Sequence, residues 1–103
     1  MHVIAKEAFE RAIRQFPHDK TALLATYRAL KESEYPTPET LKQTFASLDN
    51  FRFRHKWWVI NIGGNNLRLI AYINFVNKRV FVKHIVTHTE YDKLNAYYRR
   101  HAQ

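Results

Sequence analysis

The chain has 103 residues, 46% hydrophobic, 15% aromatic and 25% charged, with no cysteine and a formal net charge of +8. That size fits one domain around one core, and the missing thiols exclude both a disulfide framework and a thiolate metal site. No run approaches the ~18 apolar residues of a membrane-spanning helix, and the start, MHVIAKEAF, lacks the long apolar stretch of a signal peptide. A cytoplasmic protein with no membrane partner is therefore expected. The charge is unevenly placed: residues 1–50 hold seven Lys/Arg against seven Asp/Glu, and residues 51–103 hold ten against two. One strongly cationic half suits a polyanionic partner such as nucleic acid. A basic surface kept for solubility, or one covered by an acidic protein, is the alternative.

In chain order, His2-Val3-Ile4 reads as a short edge strand. Ala8, Phe9, Ala12, Ile13 and Phe16 recur at helical spacing and form one apolar stripe. Pro17 ends that helix, and Asp19 is placed to cap a second one carrying Leu23, Leu24, Tyr27 and Leu30. The short link predicts that the two helices fold back on each other. Tyr35-Pro36-Thr37-Pro38 interrupts the second helix, and Thr37 with Pro38 and Glu39 starts a short third one running to about Phe45. Residues 1–50 thus read as a helical scaffold.

Residues 51–103 read as a basic sheet and a terminal helix. Phe51-Arg52-Phe53-Arg54 alternates as a half-buried strand does, and Trp58–Ile62 predicts another. Gly63-Gly64-Asn65-Asn66 supplies the conformations of a hairpin connection. Leu67–Val76 would place Leu67, Leu69, Ala71, Ile73 and Phe75 on one face. After a break at Asn77-Lys78, strict alternation puts Val80, Val82, His84 and Val86 opposite Phe81, Lys83 and Ile85. Thr87-x-x-Glu90 and Thr89-x-x-Asp92 are rival starts for a last helix bearing Tyr91, Leu94 and Tyr98. The expected architecture is α+β: a single domain, 1–103, with helices packed on a small antiparallel sheet of about four strands.

From Phe51 to Thr89 there is no acidic residue. Strand geometry does not converge His84 and His88 as a helical pair, so no metal site and no cofactor are expected. Two glycines in a hairpin are not a phosphate-binding loop. RNA cleavage without a metal needs proton donors and acceptors of the His and Tyr type, and cations to neutralise the phosphorane. Arg68, Lys83, His88 and Tyr91 offer these groups, with His55 and Lys56 as further candidates. The start of the last helix adds amide groups suited to a phosphate. Each also has a plainer role: Arg68 as a sheet-edge cation, Tyr91 as core, His88 as a helix-start residue, and Trp57-Trp58 as core rather than a stacking platform for bases.

Two motifs bear on the choice: N-x-G-G-N-x-x-R-L from Asn61 to Leu69 and T-H-x-E-Y-D from Thr87 to Asp92. With Phe-Pro-His-Asp-Lys at 16–20 and Tyr-Pro-Thr-Pro-Glu at 35–39, they give the chain a resemblance to HigB-type toxins of the RelE-like superfamily over nearly its whole length. The resemblance implies a RelE-like fold and a ribosome-dependent mRNA endonuclease. It also implies neutralisation by a HigA-like helix-turn-helix antitoxin, with operator DNA contacted only through that complex. By the same resemblance Arg68 and Lys83 would support the transition state, and His88 and Tyr91 would move protons. Arg52, Arg54, His55, Lys56, Asn61 and Arg79 would contact RNA or the ribosome. RelE carries a lysine pair on the strand before the hairpin, where this chain has Val59 and Asn61. The competing class is a non-catalytic RNA-binding module built on the same cationic sheet, for which charge loss anywhere on the patch would matter about equally.

Overall fold

The computed structural model describes residues 1–4 and 6–101. Strand β1 (His2–Ile4) leads into α1 (Lys6–Gln15), a 3₁₀ turn at Pro17–Asp19, α2 (Lys20–Glu32) and α3 (Pro38–Thr44). Strands β2 (Asp49–Asn50), β3 (Trp57–Ile62), β4 (Leu67–Asn74) and β5 (Arg79–Thr87) follow, and α4 (His88–Arg100) closes the chain. The sheet has the order β1-β5-β4-β3-β2, antiparallel except for β1, which runs parallel to β5. This is the expected α+β class, with five strands in a mixed sheet instead of four antiparallel ones. The parallel edge arises because α1, α2 and the sheet intervene between β1 and β5, which allows a crossover connection.

The two faces of the sheet carry different layers. Leu67, Leu69, Ala71 and Ile73 of β4 face the first three helices, with Phe9, Ala12, Leu23, Leu30 and Leu41 in one buried cluster. The opposite face buries only Val59 and Ile70 together with Phe51, and Tyr91, Leu94 and Tyr98 of α4 pack over them. α1 and α2 fold back as expected, Phe9 meeting Tyr27 edge-on at 5.1 Å. In α2, Thr26 turns inward while Leu24 lies exposed; the Thr26 hydroxyl donates to the Ala22 carbonyl at 2.9 Å, so burial leaves it satisfied. The Met1 ammonium donates to the carbonyls of Leu30, Lys31 and Ser33 and closes the end of α2, where free carbonyls favour a cation.

In the second half of the chain, expectations for two stretches fail. Phe51–Arg54 is a turn, not a strand. Phe51 sinks into the cluster beneath α4, and Arg54 N–H donates back to the Phe51 carbonyl at 3.3 Å. The strict alternation of β5 also breaks. Ile70 pairs with His84 but Ala71 pairs with Val82, so Lys83 is an inserted residue. A bulge of this kind reverses the faces beyond it. Val82 and Ile85 therefore both reach the main core, while His84 turns to α4.

Candidate active site

The cluster forms where β4 begins and β5 ends. Arg68 pairs across the sheet with Asn61 on one side and Val86 on the other. One residue beyond Val86, at Thr87, a capping box stops β5 and starts α4. The Thr87 hydroxyl accepts from Glu90 N–H at 3.2 Å, and Thr87 N–H donates to Glu90 Oε1 at 3.2 Å. Of the two rival helix starts, this is the one used, and it makes His88 the first residue of α4. Tyr91 follows on the same side of the helix, three positions on.

Three of the four expected catalytic residues meet here. Arg68 Nη2 lies 3.2 Å from His88 Nδ1, and its guanidinium carbon is 5.9 Å from the centroid of the Tyr91 ring. A guanidinium has only donors, so His88 Nδ1 is the acceptor and the neutral ring carries its proton on Nε2. That nitrogen points toward Asp92 Oδ2 at 3.9 Å. The other end of the guanidinium is gripped by the hairpin: Nη1 donates to the Asn65 carbonyl at 3.2 Å. Asn61 belongs to the same group, its Nδ2 donating to Asn65 Oδ1 at 3.2 Å. Tyr91 is held in turn by Phe51, which meets it edge-on at 6.4 Å. A hollow of about 220 Å³ beside Tyr91 is bordered by Arg52, Phe53 and Asn95.

The fourth residue lies apart. Lys83 sits three residues below Val86, roughly 10 Å along the strand at about 3.3 Å per residue, with its ammonium 5.7 Å from the Trp57 ring. Between it and Arg68 stands a pair that the sequence did not single out. His84 Nε2 and the Tyr98 hydroxyl are 2.8 Å apart, and the Arg54 guanidinium covers the Tyr98 ring at 4.6 Å. Burial, and then the nearby Lys83 charge, hold the His84 imidazolium below its ordinary pKa of 6.5. Burial also pushes the Tyr98 phenol up. His55 and Lys56 line a second cleft of about 620 Å³ with Trp57, Trp58 and Phe75, toward the end of β3 away from the hairpin; Arg52 and Phe53 border both hollows. Arg79 is exposed at the far end of β5 beside Asn74. The pattern of residues contained no signal for the His84–Tyr98 pair, because alternation assigned His84 to the opposite face.

Comparison with known proteins agrees with these motifs. Residues 19–94 match the HigB toxin family, described as the RelE-like toxic component of a toxin–antitoxin system. A protein from Escherichia coli O6:H1 named mRNA interferase HigB is 55% identical over 103 residues, all of both chains. The mRNA interferase toxin HigB of Escherichia coli K12 is 37% identical over 99 residues, 96% of this chain and 95% of its own. A Shigella flexneri protein named mRNA interferase HigB matches to the same extent. No helix among the described residues is long and apolar enough to cross a membrane.

Proposed function

This chain belongs to the HigB family of RelE-like toxins of toxin–antitoxin systems, and from that membership we propose that it is an mRNA interferase cutting translated message on the ribosome. Membership makes an antitoxin its partner; we assign a HigA-like helix-turn-helix protein, through which the pair would reach operator DNA in the cytoplasm. The observation that carries the catalytic reading is the contact of Arg68 with His88 Nδ1 at 3.2 Å, beside Tyr91.

In this mechanism the scissile phosphate draws the Arg68 guanidinium, since a charge-assisted bond to phosphate is stronger than one to a neutral imidazole. His88 Nδ1 is thereby released and takes the proton of the 2′-hydroxyl as that oxygen attacks phosphorus. The bond from phosphorus to the 5′-oxygen breaks, and the Tyr91 hydroxyl gives its proton to the leaving oxygen. Arg68 balances the charge of the phosphorane. The products are a 2′,3′-cyclic phosphate and a free 5′-hydroxyl, and water returns the proton from His88 to Tyr91. Lys83, with Arg52, Arg54, His55, Lys56, Asn61 and Arg79, supplies docking charge and polar contacts for RNA.

The test is primer extension on a reporter mRNA in a translation extract, with and without ribosomes, for wild type and His88→Ala. Cuts confined to translated message and lost in the variant are the expected result. Cutting of naked RNA would refute ribosome dependence. Undiminished cutting by His88→Ala would remove His88 from the mechanism, and no cutting by wild type would favour the binding module.

A further inference from the structure

Two stretches far apart in the sequence meet beside the cluster: the turn that ends at Asp19 and the β3–β4 hairpin. Asp19 stands at the N-cap of α2, where an aspartate ordinarily accepts a hydrogen bond from the first free amides of the helix. Its side chain makes no such bond. Oδ1 instead accepts from Asn66 Nδ2 at 3.0 Å, across 47 positions of sequence. The hairpin backbone also lies against this oxygen. A Cβ on Gly63, which has φ +62°, would come within 2.6 Å of it. A side chain there would have to displace the Asp19 carboxylate, and the positive φ independently favours glycine.

The same turn grips the arginine from its other side. Asn66 N–H donates to the Gly63 carbonyl at 3.3 Å. The next residue back, Asn65, receives Arg68 Nη1 on its carbonyl and Asn61 Nδ2 on its side chain. The hairpin is thus fixed to the helical layer at Asp19 and holds the guanidinium at Asn65. We infer that Asp19 is a positioning residue for RNA cleavage, tethering the β3–β4 hairpin so that Arg68 rests on His88 in the free protein and is placed to take the phosphate when RNA binds. The inference rests on the catalytic reading of Arg68. It explains why an aspartate at a helix start is turned away from the helix it could cap.

The bond between Asp19 and Asn66 is exposed, so its loss should matter little to global stability. Placement of a catalytic group is far less tolerant, since a shift of about 1 Å can cost on the order of 100-fold in rate. The experiment measures kcat and KM for cleavage of message on programmed ribosomes, with thermal midpoints, for Arg68→Ala, Asp19→Ala, Asp19→Asn and Asn66→Ala. Asp19→Ala and Asn66→Ala should each lower kcat about tenfold with KM nearly unchanged, a partial form of that misplacement cost. Asp19→Asn keeps an oxygen acceptor and should restore the rate. Gly63→Ala should lose less activity when combined with Asp19→Ala than alone, because the two sites share one contact.

Wild-type kcat in Asp19→Ala and Asn66→Ala, alongside an inactive Arg68→Ala, would overturn the inference and leave the reading of Arg68 intact. A fall in kcat that tracks a fall in thermal midpoint, with no rescue by Asp19→Asn, would also overturn it. An active Arg68→Ala would instead remove the catalytic reading on which it rests.

Discussion

Replacing Arg68 by lysine separates charge from geometry. The guanidinium spans two partners with two nitrogens: Nη1 reaches the Asn65 carbonyl and Nη2 reaches His88 Nδ1, each at 3.2 Å. A lysine ammonium is a single centre on a flexible stem and cannot reproduce that fork. If only electrostatic attraction to phosphate mattered, Arg68→Lys would cut RNA nearly as well as wild type. If the fork orients His88 and presents two donors to the phosphorane, one donor of the oxyanion-stabilising kind is lost. Such losses cost about 10²–10³ in rate, or roughly 2.7–4 kcal/mol of transition-state stabilisation. Half-burial of Arg68 argues for the lower end, since solvent screens part of the effect, so a loss of about 10²-fold is expected. Single-turnover cleavage on saturating ribosome complexes isolates the chemical step from docking. A wild-type rate for Arg68→Lys would refute the argument, whereas an equal loss in Arg68→Lys and Arg68→Ala would show that the charge contributes nothing.

Tyr98→Phe deletes one hydrogen bond to His84 and should destabilise the protein by about 1 kcal/mol, seen calorimetrically as a drop of roughly 4–8 °C in Tm; an unchanged Tm would show that the pair does not secure α4. Phe51, 2% exposed, touches the rings of Phe53, Trp57, Tyr91 and Tyr98. Phe51→Ala should therefore cost about 3–5 kcal/mol in urea denaturation and reduce cleavage as Tyr91 loses its support; a cost within experimental error would refute that role. Because folding lowers the His84 pKa from 6.5, the unfolded chain binds more protons just below that value. His84 stability is then complete above about pH 6.5 and is lost as pH falls through the folded pKa. His84→Asn should flatten this limb of a urea-midpoint profile, and a profile identical to wild type would exclude His84 as its source.

The sequence disclosed the parts of this fold whose cues are local. Gly63-Gly64, Thr87 with Glu90 and the apolar stripe of α1 each specify their own conformation within a few residues, and each was legible. Arg68 and His88 were each named as candidates, but their meeting appears only in the fold, where the hairpin and the strand end, within 26 positions (63–88), bring Nη2 to Nδ1. What stayed hidden depends on distant partners. Phe51–Arg54 alternates like a strand, but the aromatic pocket under α4 takes Phe51 and bends the chain into a turn. The tether at Asp19 was hidden for a related reason: an aspartate before a helix is explained by capping, and only the folded position of Asn66 gives its carboxylate another partner.

The bulge at Lys83 shows how one residue can link packing to the candidate chemistry. Without it, β5 would keep His84 and Val86 on the same face as Val80 and Val82, and a partly desolvated imidazole would enter an aliphatic core with no partner. With it, Ile85 fills the core position, His84 reaches the Tyr98 hydroxyl, and Val86 stands beside Arg68 on the face that α4 covers. The face on which His88 and Tyr91 approach Arg68 is therefore set by an irregularity in the strand. Firmness of support differs between the two halves of the cluster. Arg68 stands on a central strand flanked by the fully buried Leu67 and Leu69, whereas α4 contributes no fully buried residue. Helices with little buried apolar surface open at lower free energy than core strands. Amide exchange in α4 should accordingly be faster than in β4, and Tyr98→Phe should accelerate it in α4 alone. Equal acceleration in both elements would mean that the helix and the sheet open as one unit, and that His88 and Arg68 cannot be uncoupled without unfolding the protein.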